Sequence, residues 1–268
     1  FINSNQGQKY LVCNSDESEP GTCKDRDILR FNPHSIIEGM LIASYAIGAS
    51  VGYNYLRGEF IGDQWLVINR AIKEAYSNNF AGQSILNSNI SIDIIPLIGA
   101  GAYIVGEETA MLESIEGKRG MPRIKPPFPA VQGLYGKPTI INNTETLATV
   151  PYILKNGAEW YKNLGENESD GVKMFCMSGH LKEPKVIEAP LGTVFSKLLE
   201  ECNGVLDGNN LKAVIPGGSS VPVVKAESII DTPMDYEPLM KIGTMLGSGG
   251  IIVMDETTCM VSVLERIS

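Results

Sequence analysis

Histidine is nearly missing from this chain: two in 268 residues, His34 and His180, too far apart for any zinc-type cluster to be built from sequence spacing. Cysteine is also sparse. The five present, Cys13, Cys23, Cys176, Cys202 and Cys259, form no CxxC pair and no even disulfide framework, which fits a reducing, cytoplasmic compartment. No apolar run approaches the roughly 20 residues that a membrane-spanning helix needs, so direct membrane insertion is not expected. The opening Phe1-Ile2-Asn3-Ser4-Asn5-Gln6 lacks the basic start and apolar run of a signal peptide, and a chain opening at Phe1 reads as part of a longer one. Positive charge is short as well. With 22 basic and 31 acidic residues the net charge is −9, and an acidic surface repels a phosphate backbone, which argues against a nucleic-acid partner.

What remains is ordinary globular material, 43% hydrophobic and 20% charged, long enough for one large domain or two to three smaller ones. The first half alternates short β-rich runs with helical patterns. Lys9–Asn14 reads as a buried strand entering a loop, Val51–Arg57 as a second strand and Ser91–Leu97 as a third. Between them, Ile36, Ile37, Met40, Leu41, Ser44 and Ile47 share one helical face after Asn32-Pro33. Trp65–Tyr76 forms a second helix with Leu66, Ile68 and Ile72 as core candidates. A β-α-β-α-β order predicts a parallel sheet covered by helices, with ligands at the carboxyl ends of the strands. Leu164–Gly171 is a polar linker. Beyond it come strands at Val172–Met177 and Lys185–Glu188, then a helix capped by Thr193 that runs through Phe195, Leu198 and Leu199. A return strand, Leu211–Ile215, completes a compact α+β unit, and the tail from Asp231 holds one more strand, Ile251–Met254.

Three clusters carry polar chemistry. Asn14-Ser15-Asp16-Glu17-Ser18-Glu19-Pro20-Gly21 follows a strand, where such side chains can hydrogen-bond a heterocycle edge or ribose hydroxyls; an acidic surface turn closed by Pro20-Gly21 explains the same residues. Gly99-Ala100-Gly101 leads through Tyr103 and Gly106 to Glu107-Glu108, a turn whose glycines let backbone N–H groups approach a flavin or phosphate. Its GxGxxxxG spacing is not the dinucleotide fingerprint, and two carboxylates opening a helix are favoured by its dipole in any case. The third cluster joins Arg123-Ile124-Lys125-Pro126-Pro127-Phe128 to Asn142-Asn143-Thr144-Glu145-Thr146. A cation and a ring on a stiff proline elbow suit a phosphate and a base, although the stretch also reads as a plain proline-rich connection.

Taken as a set, CNSDESEPGTCKDRD, GAGAYIVGEETAMLESIEGKRGMPRIKPPFPA and KPTIINNTETLATVPYIL resemble the signature blocks of the FMN- and NADH-binding flavin subunit of complex-I-type NADH:quinone oxidoreductases. The same subunit type occurs in NAD-linked formate dehydrogenases and NAD-reducing hydrogenases. The resemblance runs in collinear order along essentially the whole chain. It implies an α/β, Rossmann-like FMN-binding domain with a parallel sheet over residues 1–165, a small α+β β-grasp (ubiquitin-like) module over 171–225, and over 231–268 the lead-in to a helical iron–sulfur domain.

Carried over residue by residue, the resemblance puts FMN contacts at Asn14, Asp16, Glu17, Gly101, Tyr103, Gly106, Glu107, Asn142, Asn143 and Thr146, with Lys125 as partner for the FMN phosphate. It places Glu19 and Glu108 near the ribose or nicotinamide of NADH and Phe128 near its adenine. No side chain is expected to act as nucleophile or general base, because the flavin carries the chemistry. The implied reaction passes a hydride from NADH to FMN and then single electrons to iron–sulfur clusters toward quinone. Expected partners are a thioredoxin-like [2Fe-2S] subunit and further iron–sulfur subunits in a peripheral arm on the cytoplasmic side. Two family elements fall outside the chain: a glycine-rich GRGGAGFP…K segment expected before Phe1, and a CxxCxxC motif for a [4Fe-4S] cluster expected after Ser268. Metal ligands are therefore not expected among these residues. Alternatives to the complex-I role are the same diaphorase module in a formate dehydrogenase or hydrogenase, or a non-catalytic scaffold that uses the β-grasp unit alone.

Overall fold

A computed structural model of the chain describes residues 7–166 and 168–268. Phe1–Gln6, read above for a leader, and Asn167 of the polar linker lie outside the described residues. The chain divides into two compact units, residues 1–18 with 25–155 and residues 19–24 with 156–268.

The first unit opens with β1 (Tyr10–Ser15), α1 (Lys24–Phe31), α2 (Pro33–Ile47), β2 (Val51–Leu56), α3 (Asp63–Ser77) and β3 (Asp93–Ile98). It continues with α4 (Glu108–Ile115), the short α5 (Pro129–Gln132), β4 (Thr139–Asn143) and α6 (Thr144–Asn156). The four strands form one sheet in the order β3-β2-β1-β4, every pair parallel, as the alternating pattern predicts. Both faces are covered, which is why β1 has Leu11, Val12 and Cys13 all fully buried instead of alternating. Leu11, Cys13, Ile36, Met40 and Ile68 pack on one face; Val12, Tyr55, Met111, Leu112 and Leu134 pack on the other.

Local sequence explains the helix limits. Pro33 opens α2, where its missing N–H costs nothing, and Gly48 closes it at φ +73°. Ala49 N–H then reaches Ser44 O at 2.8 Å, so the terminal carbonyls are satisfied. In α3, Ile68, Ala71, Ile72 and Ala75 form the buried stripe. Leu66, expected in the core, lies on the opposite side and is 68% exposed.

The second unit contains α7 (Ala158–Lys162), β5 (Val172–Gly179), β6 (Lys185–Pro190), α8 (Phe195–Glu201), β7 (Leu211–Ile215) and β8 (Val224–Lys225). After these come α9 (Ala226–Ile229), α10 (Tyr236–Lys241), β9 (Gly250–Asp255) and α11 (Met260–Ile267). Its sheet runs β6-β5-β9-β7-β8. Counted within the unit, that is 2-1-5-3-4 with the first and last strands parallel at the centre, compatible with a β-grasp module. The strand assigned above to the tail is thus the middle of this sheet: β9 pairs with β5 and β7 and buries Ile251 and Val253, carrying the unit past residue 225. Thr193 does not cap α8. The chain at 193–194 is extended and pairs with 232–234, through Met234 N–H to Thr193 O at 2.9 Å and a Val194–Pro233 bridge, leaving the buried Thr193 hydroxyl without a hydrogen-bond partner among the described residues. Among the described residues, no helix is long and apolar enough to cross a membrane.

Helix propensity and packing disagree at Gly39, in the middle of α2. Propensity favours Gly39→Ala by about 1 kcal/mol. A Cβ there would sit 1.8 Å from the carbonyl oxygen of Leu147 on α6, a backbone atom that cannot swing aside. Gly39→Ala is expected to lower the urea midpoint of unfolding; an unchanged or raised midpoint would show that α2 and α6 are not in this contact.

Candidate functional site

In the first sheet, successive strands step from β1 outward to β2 and β3, and the chain then returns to place β4 on the other side of β1. That reversal opens a crevice at the carboxyl ends of β1 and β4, the usual ligand position in an open α/β sheet. The segments leaving the strands there are 14–18 after β1, Arg57 after β2, 99–106 after β3 and Asn142–Thr144 at β4.

Hydrogen bonds tie these exits together. Asn14 Nδ2 donates to Gly106 O at 2.9 Å, and Asn14 Oδ1 accepts from Asp16 N–H at 3.1 Å. Asn143 Nδ2 donates to Asp25 Oδ2 at 2.8 Å, while its Oδ1 accepts from Glu145 N–H at 3.0 Å and so caps α6. Beneath them, the hydroxyls of Ser15 and Thr144 lie 2.7 Å apart, and Ser15 donates to Asn54 Oδ1, also at 2.7 Å. Asn142 occupies the rung beside Cys13; it is half-buried, and its amide makes no side-chain hydrogen bond to the described residues.

Several expected ligand residues have structural duties. The buried carboxylate of Glu17 accepts from the N–H groups of Asp25 at 2.8 Å and Arg26 at 3.0 Å, capping the start of α1. Glu19 belongs to the second unit, where its Oε1 accepts from Ser220 N–H at 2.7 Å. The glycines of the 99–101 turn are required by chain-on-chain packing. A Cβ on Gly99 would meet the Tyr55 hydroxyl at 2.7 Å, and the backbone of Gly101 (φ +84°) lies 2.6 Å from where a Cβ of Gly58 would be. Asp16 is partly buried, and this desolvation raises its carboxyl above the ordinary range against the opposing pull of the Ser18 hydroxyl and Arg57.

The acidic pair at α4 is organised around one cation. Glu107 is the N-cap: Oε2 accepts from Thr109 N–H at 2.9 Å, Ala110 N–H at 3.0 Å and the Thr109 hydroxyl at 2.5 Å. Lys125 Nζ lies 3.1 Å from Glu107 Oε1 and 2.5 Å from Glu108 Oε1. The contacts to Glu108 and Glu107 raise the Lys125 pKa. Two of its three N–H donors are engaged, which leaves one for a phosphate. Tyr103 and Phe128 expose their rings, at 55% and 56%, and Thr146 stands exposed in the first turn of α6. No interaction among the described residues brings Phe128 or Thr146 onto the Asn14–Gly106 cluster.

Sequence reasoning passed over three residues. Arg57 leaves β2 one residue past the Ser15–Leu56 rung, level with Asp16 on β1, a signal that was available; its Nη1 donates to Glu17 O at 2.8 Å and its Nε to Glu59 at 2.9 Å. Thr109 and Arg123 gave no such signal, because their partners are set only by the folded loop.

Residues 2–152 match the family described as the Nuo51 FMN-binding domain. The chain belongs to that family. The Nuo51 FMN-binding region thus coincides with the first unit, and residues 173–253, which end inside β9, match the SLBB domain family. An NADH-quinone oxidoreductase subunit of Rickettsia felis is 52% identical over 261 residues, covering 97% of this chain and 61% of that protein. Its counterpart in Rickettsia bellii is 51% identical, with 97% and 62% covered. The chain therefore spans about three fifths of the length of these relatives. Among solved structures, an NAD+-reducing [NiFe]-hydrogenase in the air-oxidized state superposes with a TM-score of 0.82 at 32% identity, covering 99% of this chain and 43% of that one.

The donor set fits the FMN of the family's description. A half-buried amide without a partner among the described residues (Asn142), a partly buried carboxyl (Asp16) and one ammonium with an N–H to spare (Lys125) match a ring edge, hydroxyls and a phosphate.

Glu107 yields a pH prediction. Burial raises its pKa, but bonds from the Thr109 hydroxyl, Ala110 N–H, Lys125 and Thr109 N–H outweigh this and hold it below the ordinary 4.5. A depressed folded-state pKa contributes stability that is complete above 4.5 and is lost as pH falls through the folded value. Thermal melts of the parent and Glu107→Gln should therefore differ most above that pH and converge in acid; a gap independent of pH would remove the capping carboxylate from the account.

Proposed function

We propose that this chain is the FMN- and NADH-binding part of the flavin subunit of an NADH:quinone oxidoreductase. The observation that carries the reading is the half-buried Asn142 amide, without a hydrogen bond to the described residues, set on the rung of Cys13 at the strand-order reversal, with Asn14 and Asn143 sharing the next rung. When bound, FMN would supply the redox chemistry, two-electron hydride acceptance from NADH and one-electron release to iron–sulfur centres. The protein's own part is to bind, orient and exclude. Asn142 and Asp16 hold polar edges of the flavin, with Asn14, Gly101, Tyr103, Gly106, Asn143 and Thr146 around it. Glu17 and Glu107 contribute through the backbone segments that they brace. Lys125 offers its remaining donor to a phosphate, and Glu108 faces the nucleotide ribose, with Phe128 beside the adenine. The FMN domain extends to residue 165, and the segment after β9 leads into a helical iron–sulfur domain. Its cluster ligands, and a [2Fe-2S] partner subunit with further iron–sulfur subunits, complete the route to quinone on the cytoplasmic side of the membrane. A second reading, the diaphorase module of an NAD-reducing hydrogenase or formate dehydrogenase, draws support from the 0.82 TM-score to the hydrogenase.

Cofactor choice follows from charge. Like charges about 4 Å apart repel by about 1 kcal/mol in water and about 4 kcal/mol at an effective dielectric of 20. A carboxylate at the ribose therefore disfavours the 2′-phosphate of NADPH while accepting a bond from the 2′-hydroxyl of NADH. Lys125 beside Glu108 tempers this repulsion without removing it. Anaerobic titration of the full-length protein, with the flavin released by acid and identified, tests the whole reading. FMN, bleached by NADH far more readily than by NADPH, is expected, with the preference narrowed in Glu108→Gln. Recovery of FAD, or no bleaching by NADH, would overturn it.

A further inference from the structure

The loop between α4 and β4 carries Lys125 and Phe128; Lys125 ties one part of it to Glu107 and Glu108, and Arg123 holds its neck. Arg123 Nε donates to Glu113 Oε1 at 2.5 Å and Nη2 to Glu116 Oε1 at 2.8 Å, both carboxylates lying at the end of α4. Its Nη1 donates to Gly133 O at 3.0 Å, ten residues further along the chain. Its backbone N–H donates to the hydroxyl of Thr109 at 2.8 Å, the same hydroxyl that bonds Glu107. Gly133 is itself fixed against β4: its N–H reaches Lys137 O at 2.8 Å, and a Cβ on it would collide with Thr139 at 2.5 Å.

Arg123 therefore closes the neck of a loop whose body is exposed. Ile124 is 90% exposed and Phe128 56%, so the ring owes its place to the backbone that bears it. Phe128 stands at the N-cap of α5, its carbonyl accepting from Val131 at 2.8 Å and Gln132 at 3.0 Å, and α5 ends at the Gly133 that Arg123 grips. The guanidinium thus spans from α4 to the far end of the turn carrying the ring.

We propose that Arg123 is a positioning residue for dinucleotide binding, acting through Phe128 by bracing the neck of the 124–132 loop. This rests on the nucleotide reading of the site given above. A planar fork reaches two carboxylates and a carbonyl from three separate nitrogens in fixed directions; a lysine offers its three donors from a single nitrogen. An exposed ring bound to a loose loop must be ordered when the base arrives, and that ordering weakens binding.

The test is a double-mutant cycle on the full-length FMN-loaded protein, with ADP-ribose as probe and its Kd read by calorimetry, so that no turnover is needed. Arg123→Lys is expected to raise Kd roughly tenfold, equivalent to about 1.4 kcal/mol, with FMN content unchanged. Phe128→Ala is expected to raise it as well. Added to Phe128→Ala, Arg123→Lys should cost less than about twofold more, because it acts through the missing ring. An equal loss in both backgrounds, an unchanged Kd, or loss of FMN in Arg123→Lys alone overturns the inference. Failure of the parent holoenzyme to bind ADP-ribose would instead overturn the nucleotide reading, and the inference with it.

Discussion

Five consecutive rungs join β1 to β4 in parallel, from Tyr10 opposite Thr139 to Asn14 opposite Asn143. Every polar group of the crevice depends on that register. In a strand the side chains alternate between faces, so a slip of one residue would bring Ile141 to the rung of Cys13 and turn Asn142 to the opposite side of the sheet. The register is locked from both faces: Leu11 and Cys13 are buried among α2 and α3 residues, Val12 among those of α4 and the segment before β4. The Ser15–Thr144 hydroxyl pair then closes the end where the strands diverge. Packing thus sets the geometry of the crevice, and the crevice sets which atoms remain for a ligand.

Electrostatics is arranged on the same frame. A chain with net charge −9 still concentrates cations where its loops need them. Arg57, Arg123 and Lys125 each hold two or more oxygen partners, at the exit of β2, the end of α4 and the start of α4 respectively. Each partly desolvated charge has a counter-charge, which avoids the heavy cost of an isolated buried ion. The carboxylates of the site are therefore held in fixed positions and present a preorganised field.

Much of this was legible in the sequence because it is local. The βαβαβ alternation marked the parallel sheet, and Asn14 stood out because it closes a buried strand, whereas Asn142 and Asn143 came from the family resemblance, without the strand β4 that carries them. Carboxylates were harder. A Glu after a strand can contact a ligand or cap a helix, and spacing does not choose between these; Glu17 and Glu107 prove to be caps, while Glu19 serves a turn in the second unit. The parts that did not show depend on distant pairing. Thr193 looks like an N-cap until the 232–234 segment pairs with it, Ile251–Met254 looks like part of a tail until β5 and β7 flank it, and Arg123 looks like one of several loop cations until Gly133 returns to meet it.

The claim that FMN sits at the β1–β4 crevice is tested most directly by the FMN dissociation constant of Asn142→Leu in the full-length protein, compared with the parent. The side chains are close in size, so the sheet should persist, and the far-ultraviolet circular dichroism should be unchanged. Loss of one hydrogen bond worth about 0.5–1.5 kcal/mol predicts affinity weaker by about twofold to tenfold. An unchanged FMN affinity in a folded Asn142→Leu protein would contradict the placement.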